Sequence, residues 1–517
     1  MNARAAAISL AAAALLLLHA DYFDHIADDA YISLRYLDHW LRGEGLVFNP
    51  GERVMGYSNF LWIVLLAPLG ALGIPLPVAA QGLGLTLTVA CLALVSNELV
   101  RRHGQVWPAV AAMGWLVASG PFALWAQAGL EGPLFGLLLA GAAIAATRIA
   151  ERTSPARLAT LTACLVAATW TRPEGAAYAV VIAAWLAWQQ RRREAAIGLV
   201  AAAAAWLAFA SFAFLYYGDA LPNTYYAKQL PLSLAVIERG ALFHWAYIKG
   251  QYGATLLALG LFGVTAGRST RAPGWLCVAM IAAFALYYLR IGGDALVYHR
   301  MWAPMQPLLA LAFGDAVMQL VRLATRHGLP AVSFALPACA LPLLAVPHSL
   351  QGFELAYLRG DDERIRSLAT LGRELHEHAA PGTRLAANVI GAVGFYSRAP
   401  IVDMLGLTDR QIAKRGQREL GTPGHESHDG AYVLDQQPDL LLVGIPRASR
   451  RRIDVNEAFR PAFPSDRDLL ADPRLLRGYD FAHWTLSDGR HVALFARRGF
   501  QGPERLRVGG AQPSSSP

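Results

Sequence analysis

The 517-residue sequence predicts a polytopic all-α membrane domain followed by a soluble α/β domain. Three observations carry that reading. Apolar residues make up 55% of the chain and charged residues only 16%, against about 25% charged in an ordinary soluble domain. This excludes intrinsic disorder and argues against a wholly soluble protein. Charge is also uneven: residues 1–349 carry 22 Lys+Arg and 16 Asp+Glu, whereas 350–517 carry 23 and 21 in less than half the length. Finally, the first part is a succession of long apolar runs, and the second has only short ones. The net charge of +8 is shared between the parts and points to no nucleic-acid partner.

A span needs about 20 mainly apolar residues. The runs cover roughly 5–22, 58–74, 78–98, 106–120, 132–147, 157–171, 175–189, 195–217, 252–267, 274–290, 301–321 and 329–347. The first competes with a cleaved signal peptide, but Leu18 three residues before Asp21 is too bulky for the cleavage site. Cytoplasmic loops collect Lys and Arg. Arg4, Arg101-Arg102, Arg148/Arg152/Arg157, Arg191-Arg192-Arg193, Arg268/Arg271 and Arg322/Arg326 therefore mark the cytoplasmic side. The block 58–98 then crosses only once in net terms. Its first run, broken by Pro68, Gly70 and Gly73, is the one expected to re-enter. About 11 crossings result, with the C-terminal domain in the periplasm of a bacterium.

That domain is expected to fill 350–501, starting near Gln351. Residues 361–379 place Ile365, Leu368, Leu371 and Leu375 at helical spacing. After Pro381-Gly382 come short apolar runs at 384–390, 393–396, 400–405, 439–444 and 491–496, which read as strands. The Gly-, Pro- and Ser-rich tail 502–517 is expected to be disordered. The cysteines Cys91, Cys164, Cys277 and Cys339 lie in apolar runs and form no disulfide framework or zinc spacing.

The first outer loop, 23–58, holds the most informative residues. Asp28-Asp29-Ala30-Tyr31-Ile32-Ser33-Leu34-Arg35-Tyr36 follows the first span directly, so both carboxylates sit at the membrane surface. If the segment is helical, Asp28, Tyr31 and Arg35 share one face, with Asp29, Ser33 and Tyr36 beside it. Two adjacent acids repel unless a cation or proton offsets them; equally, they are favoured at a helix start by its dipole. The stretch from Gly43 to Phe60 is rich in glycine and proline and reads as a fixed loop. Its Asn49, Glu52, Arg53, Tyr57 and Asn59 either line a sugar site or cap the loop. Further acids, bases and aromatics recur on this side at Glu131, Arg172-Pro173-Glu174, Asn223-Thr224-Tyr225-Tyr226-Ala227-Lys228 and Asp294 through His299-Arg300. Any one of them alone reads as structural; together they suggest a charged cavity where lipid headgroup meets water.

The first-loop pattern, continuing through Gly45-Leu46-Val47-Phe48-Asn49-Pro50-Gly51-Glu52-Arg53-Val54-Met55-Gly56-Tyr57-Ser58-Asn59-Phe60-Leu61-Trp62, resembles polyprenyl-phosphate-dependent glycosyltransferases of the GT-C superfamily. Within it, the sequence is similar to the terminal arabinofuranosyltransferases of mycobacterial cell walls and a pilin-modifying relative. The similarity continues in order at Thr171-Arg172-Pro173-Glu174-Gly175, Gly292-Gly293-Asp294, His299-Arg300, Val402-Asp403-Met404-Leu405-Gly406-Leu407 and Gly424-His425-Glu426. Met55 and Ala295 depart from the family pattern at positions that bear on acceptor choice.

The resemblance implies a GT-C membrane domain. It also implies transfer of a sugar, arabinofuranose above all, from a polyprenyl-phosphate donor to a glycan or glycoprotein acceptor at the bilayer surface. It makes Asp28 the general base and leaves Asp29 to tune it or hold the acceptor. Arg172, His299 and Arg300 are expected to hold the donor phosphate. Expected substrate contacts are Arg35, Asn49, Glu52, Tyr57, Asn59, Glu131, Glu174, Asn223, Tyr225, Lys228 and Asp294, with Asp403 and His425 from the C-terminal domain. No particular cofactor is read from the residues; a divalent cation is conceivable at Asp28-Asp29, where the sequence offers no full oxygen-ligand set. Two rivals stand beside this reading. A transporter or flippase of lipid-linked saccharide would carry midplane charges and repeated halves, and neither is evident. A non-catalytic envelope assembly protein would tolerate loss of Asp28.

Overall fold

The computed structural model describes the chain except Met1, Tyr252, 267–272, 347–349, Gln351, 459–460 and 509–517. Arg268, Arg271 and the end of the expected tail thus lie outside the described residues. Long Ala- and Leu-rich runs form α1 (Ala3–Asp21), α4 (Leu76–His103), α7 (Gly132–Glu151), α10 (Arg192–Tyr217), α14 (Gly274–Ile291) and α15 (Gln306–Arg326). With the short 3₁₀ turn Arg300–Met305 counted into α15, these are the six described helices long and apolar enough to cross a membrane. A seventh span arises if α5 (Trp107–Ala118) and α6 (Gly120–Gln127), bent by 66° at Ser119, count as one. Shorter helices are α3 (Phe60–Ala71), α8 (Pro155–Thr171), α9 (Gly175–Trp188), α13 (Ala254–Ala266) and α16 (Val332–Ala340). The 12 residues of α3 reach only about 18 Å at 1.5 Å per residue, short of a hydrocarbon core of about 30 Å. The expected 11 crossings are therefore not all matched by full-length helices among the described residues.

Three further helices lie between these spans: α2 (Asp28–Leu41), α11 (Asn223–Ala227) and α12 (Leu234–Gly250). Proline sits in the first turn of α5, α7 and α8, where no backbone N–H is needed for the helix. At one end of the bundle the buried Glu98 carboxylate accepts from Arg101 at 2.8 Å and Arg148 at 2.6 Å, and Asp315 meets Arg102 at 2.7 Å and His103 at 2.8 Å. These pairs tie α4, α7 and α15 together. The opposite end of α7, at Glu131, faces the C-terminal domain and the cavity described below.

The C-terminal domain opens with α17 (Phe353–His378), which starts eight residues before the charged helix expected from the sequence. Its strands are β1 (Leu385–Ala387), β2 (Ile401–Asp403), β3 (Gln417–Arg418), β4 (Ser427–His428), β5 (Leu440–Leu442), β6 (Ala448–Ser449), β7 (Tyr479–Thr485), β8 (His491–Arg497) and β9 (Leu506–Val508). The main sheet runs β2-β1-β5-β8-β7-β9, parallel at β2-β1-β5 and antiparallel beyond, with β6 added on β8. The parallel strands are buried along their whole length, which is why they read as unbroken apolar runs. Trp484 donates to Glu374 Oε2 of α17 at 2.9 Å, fixing helix to sheet.

Two expectations are corrected. Residues 393–396 are not a strand but part of helix α18 (Gly391–Ser397), which turns its first N–H groups onto α2. The expected disordered tail is ordered through Val508, because Leu506–Val508 adds a strand to β7.

Candidate active site

Helix α2 decides the geometry. Its periodicity splits the first-loop acids between two surroundings, since neighbouring residues point about 100° apart. One face carries Asp28, Tyr31 and Arg35 and meets α18. Both Asp28 carboxylate oxygens accept backbone N–H bonds, from Gly391 and Ala392 at 2.9 Å each. Tyr31 packs on Phe395 and Tyr396. Arg35 is fully buried; its guanidinium donates to the carbonyls of Phe48 at 2.7 Å and Ala399 at 2.7 Å, and to that of Gly394. A Cβ on Gly391 would fall 2.0 Å from the Asp28 carbonyl oxygen, so only glycine allows this approach. The next face of α2 carries Asp29, Ile32 and Ser33, and it opens into a cavity of about 480 Å³.

Two ion networks line that cavity. Arg300 donates to Asp29 at 2.9 Å and to Asp294 at 2.6 Å. Arg172 bridges Glu131 at 2.5 Å and Glu174 at 2.6 Å, and Glu131 also accepts from Asn59 at 2.9 Å. Tyr57 lines the wall with its hydroxyl 3.1 Å from that of Tyr217, and Tyr225 closes another side. Lys228 and Arg290 also line the cavity and form no ion pair among the described residues. They thus lack the carboxylate partners that Arg172 and Arg300, two of the three expected phosphate ligands, already have, although the Lys228 charge is felt by Asp29. Arg290 lies outside the expected set; its signal was a cation in the last turn of an apolar helix, two residues before Gly292-Gly293-Asp294.

Electrostatics separate the paired acids. Burial pushes the Asp28 carboxyl up, with Arg364 and the Ala392 N–H opposing. Burial also pushes Asp29 up, but Arg300 and Lys228 outweigh it and hold the group below its ordinary value, ionised at neutral pH. His425 is stacked on Phe463 beside this cavity, and burial pushes its imidazole down to the neutral form.

Several expected contacts are placed elsewhere. His299 lies outside the cavity lining with its Nε2 3.2 Å from Glu354. Asn223 is buried, and its amide donates to the carbonyls of Gly406 at 2.7 Å, Leu407 at 3.3 Å and Asp409 at 2.9 Å, pinning the C-terminal domain to α11. Asp403 accepts from the N–H groups of Leu405 at 3.0 Å and Thr408 at 2.6 Å and shapes the turn after β2, where burial pushes it up to about 6. Asn49 pairs with the backbone of Ile401 at 3.0 and 2.8 Å, and with Glu52 it faces a second cleft. Arg35 docks rather than lines. Asn223, Asn49 and Arg35 join two domains and Asp403 holds a turn within one, roles that sequence alone does not separate from substrate binding. The C-terminal domain still reaches the cavity through Leu407, Pro423, Gly424 and Glu426. Glu426 is held by Arg239 of α12 at 2.8 Å.

Asp28 and Asp29 diverge onto separate partners, and among the described residues no three His, Cys, Asp or Glu converge as metal ligands.

Two solved structures share this architecture. Both are crystal structures of ArnT from Cupriavidus metallidurans, one bound to undecaprenyl phosphate and one in the apo state. They overlay with TM-scores of 0.58 and 0.57, at 13% and 12% identity, over 96% of this chain and 99% of theirs. The chain has the GT-C fold. A terminal beta-(1->2)-arabinofuranosyltransferase of Mycobacterium tuberculosis is 27% identical over 339 residues, covering 55% of this chain. The chain spans about half, 51%, of that curated relative's length. Residues 356–495, the heart of the C-terminal domain, match a family model described as a domain of unknown function (DUF8728). In this chain the first-loop helix is thus clamped by a domain that also supplies cavity wall.

Proposed function

We propose that this protein is a membrane glycosyltransferase that moves a sugar, arabinofuranose by analogy with its mycobacterial relative, from a polyprenyl-phosphate donor to an extracytoplasmic glycan or glycoprotein acceptor. The undecaprenyl phosphate bound to ArnT supports the donor class, and the Arg-rich loops support a periplasmic reaction side. The observation that carries the reading is Asp29: an ionised carboxylate in a cavity that also holds Lys228 and Arg290, two cations with no ion pair among the described residues. Transfer needs a base for the acceptor hydroxyl and positive charge for the departing phosphate. Asp29 takes the acceptor's proton as its oxygen attacks the anomeric carbon. Lys228 and Arg290 receive the phosphate as the glycosidic bond to it breaks. Arg300 orients Asp29 and Arg172 holds Glu131 and Glu174, so both arginines have carboxylate partners before any donor arrives. Asp28, first expected to be the base, instead positions the helix that carries Asp29.

Purified protein supplied with radiolabelled polyprenyl-phosphate sugars tests this. Asp29→Asn keeps size but cannot take a proton, and loss of a general base costs about 10²–10⁴-fold. Wild-type turnover by Asp29→Asn, with folding intact, would return the role to another group.

A further inference from the structure

A second cleft of about 500 Å³ lies behind the reaction cavity, between the first loop and the C-terminal domain. The same two segments wall both. Gly56, Tyr57 and Leu407 face the reaction cavity, whereas Arg53, Val54, Thr408 and Asp409 face the second cleft. Its volume falls within the range of small-ligand sites, about 300–1,000 Å³.

The lining is strongly basic. Arg53, Arg384, Arg410 and Arg415 form no ion pair among the described residues. Arg410 donates to the carbonyls of Arg53 at 3.0 Å and Tyr217 at 2.5 Å, Arg384 donates to the carbonyl of Gln436 at 2.8 Å, and Arg53 lies over the Tyr216 ring. Only Lys414 is neutralised, by Asp219. The two acids of the lining already have neutral partners: Glu52 accepts from Asn49 at 3.1 Å, and Asp409 from Tyr432 at 3.0 Å. Guanidinium groups with free donors bind carboxylates or phosphates through paired bonds. Thr408, Gln411, Tyr432 and Gln436 place neutral donors and acceptors among them, which suits hydroxyl groups.

We propose that this cleft binds an acidic saccharide segment, an anionic part of the acceptor glycan held outside the reaction cavity. The assignment to an acceptor rests on the transferase reading; the binding itself does not. A bare phosphate would leave the neutral polar groups unused, and an uncharged lipid tail would leave the four arginines without a counter-charge.

The experiment is calorimetric binding of tetragalacturonate to the full-length protein in detergent, without donor, against maltotetraose as the neutral counterpart. The expected result is binding of the acidic tetramer alone, weakened by salt. The double variant Arg384→Gln/Arg415→Gln, whose residues lie away from the reaction cavity, should weaken it about tenfold or more while leaving the slow hydrolysis of donor without acceptor unchanged. Equal binding of both sugars, or binding untouched by the double variant, would overturn the proposal. So would inorganic phosphate or phosphatidylglycerol vesicles occupying these arginines while the acidic tetramer does not. Because no donor is present, loss of the transferase reading leaves this result standing. Intact donor hydrolysis with no tetragalacturonate binding defeats this proposal alone.

Discussion

Replacing Asp28 by Asn separates positioning from chemistry. The wild-type carboxylate accepts two backbone N–H bonds of 2.9 Å, from Gly391 and Ala392. The amide of Asn keeps one acceptor oxygen and turns its NH₂ toward the other N–H, so one bond is lost and a backbone donor is left unpaired. A hydrogen bond to a charged group contributes about 1.5–3 kcal/mol. Burial already opposes the Asp28 charge, which argues for the lower half of that range, about 2 kcal/mol. At about 1.4 kcal/mol per factor of ten, the docking of α18 on α2 should loosen about 30-fold. Hydrogen–deuterium exchange of a peptide spanning 388–397 reads this directly: protection should fall by about that factor in Asp28→Asn, and further in Asp28→Ala. Turnover should fall less than in Asp29→Asn, because the base is displaced rather than removed. Unchanged exchange at 388–397 together with a turnover loss of about 10²–10⁴-fold would refute the positioning role and make Asp28 the base.

Three further outcomes follow from the same geometry. Asp29 is held below the ordinary aspartate value of about 3.9 and must be deprotonated to act, so activity should fall only as pH drops through that depressed value. In Arg300→Gln the acid limb of kcat/KM should move upward, and a limb that stays in place would assign it to another group. Lys228→Met should raise the donor KM about tenfold, the loss of one charge-assisted bond; a fall in kcat with KM unchanged would remove Lys228 from ground-state phosphate binding. Reporter fusions should place Arg192 in the cytoplasm and Arg450 in the periplasm, and a cytoplasmic signal after Arg450 would eliminate the extracytoplasmic reaction.

Composition and periodicity were enough to read the class of this protein. Apolar runs of span length, a late rise in charge and short buried strands each follow from local chemistry, and they identified the helical bundle and the α/β domain. Helical spacing also grouped Asp28, Tyr31 and Arg35 on one face of α2. What lies opposite that face could not be read locally, because the partners Gly391 and Ala392 stand more than 360 positions away. Only the packed structure shows that this face is a docking surface and that Asp29 faces the cavity. The same holds for the cations. Arg172 and Arg300 look like phosphate ligands in a list of charges; the structure pairs each with one nearby carboxylate, Glu174 or Asp294, and one from a distant element, Glu131 or Asp29, while Lys228 and Arg290 form no ion pair among the described residues. Asn223 and Asp403 are polar for a third reason, to satisfy buried backbone groups, across the two domains for Asn223 and within one turn for Asp403. Residue type records that a polar group is needed; tertiary contact decides whether a backbone, an opposite charge or a substrate answers it.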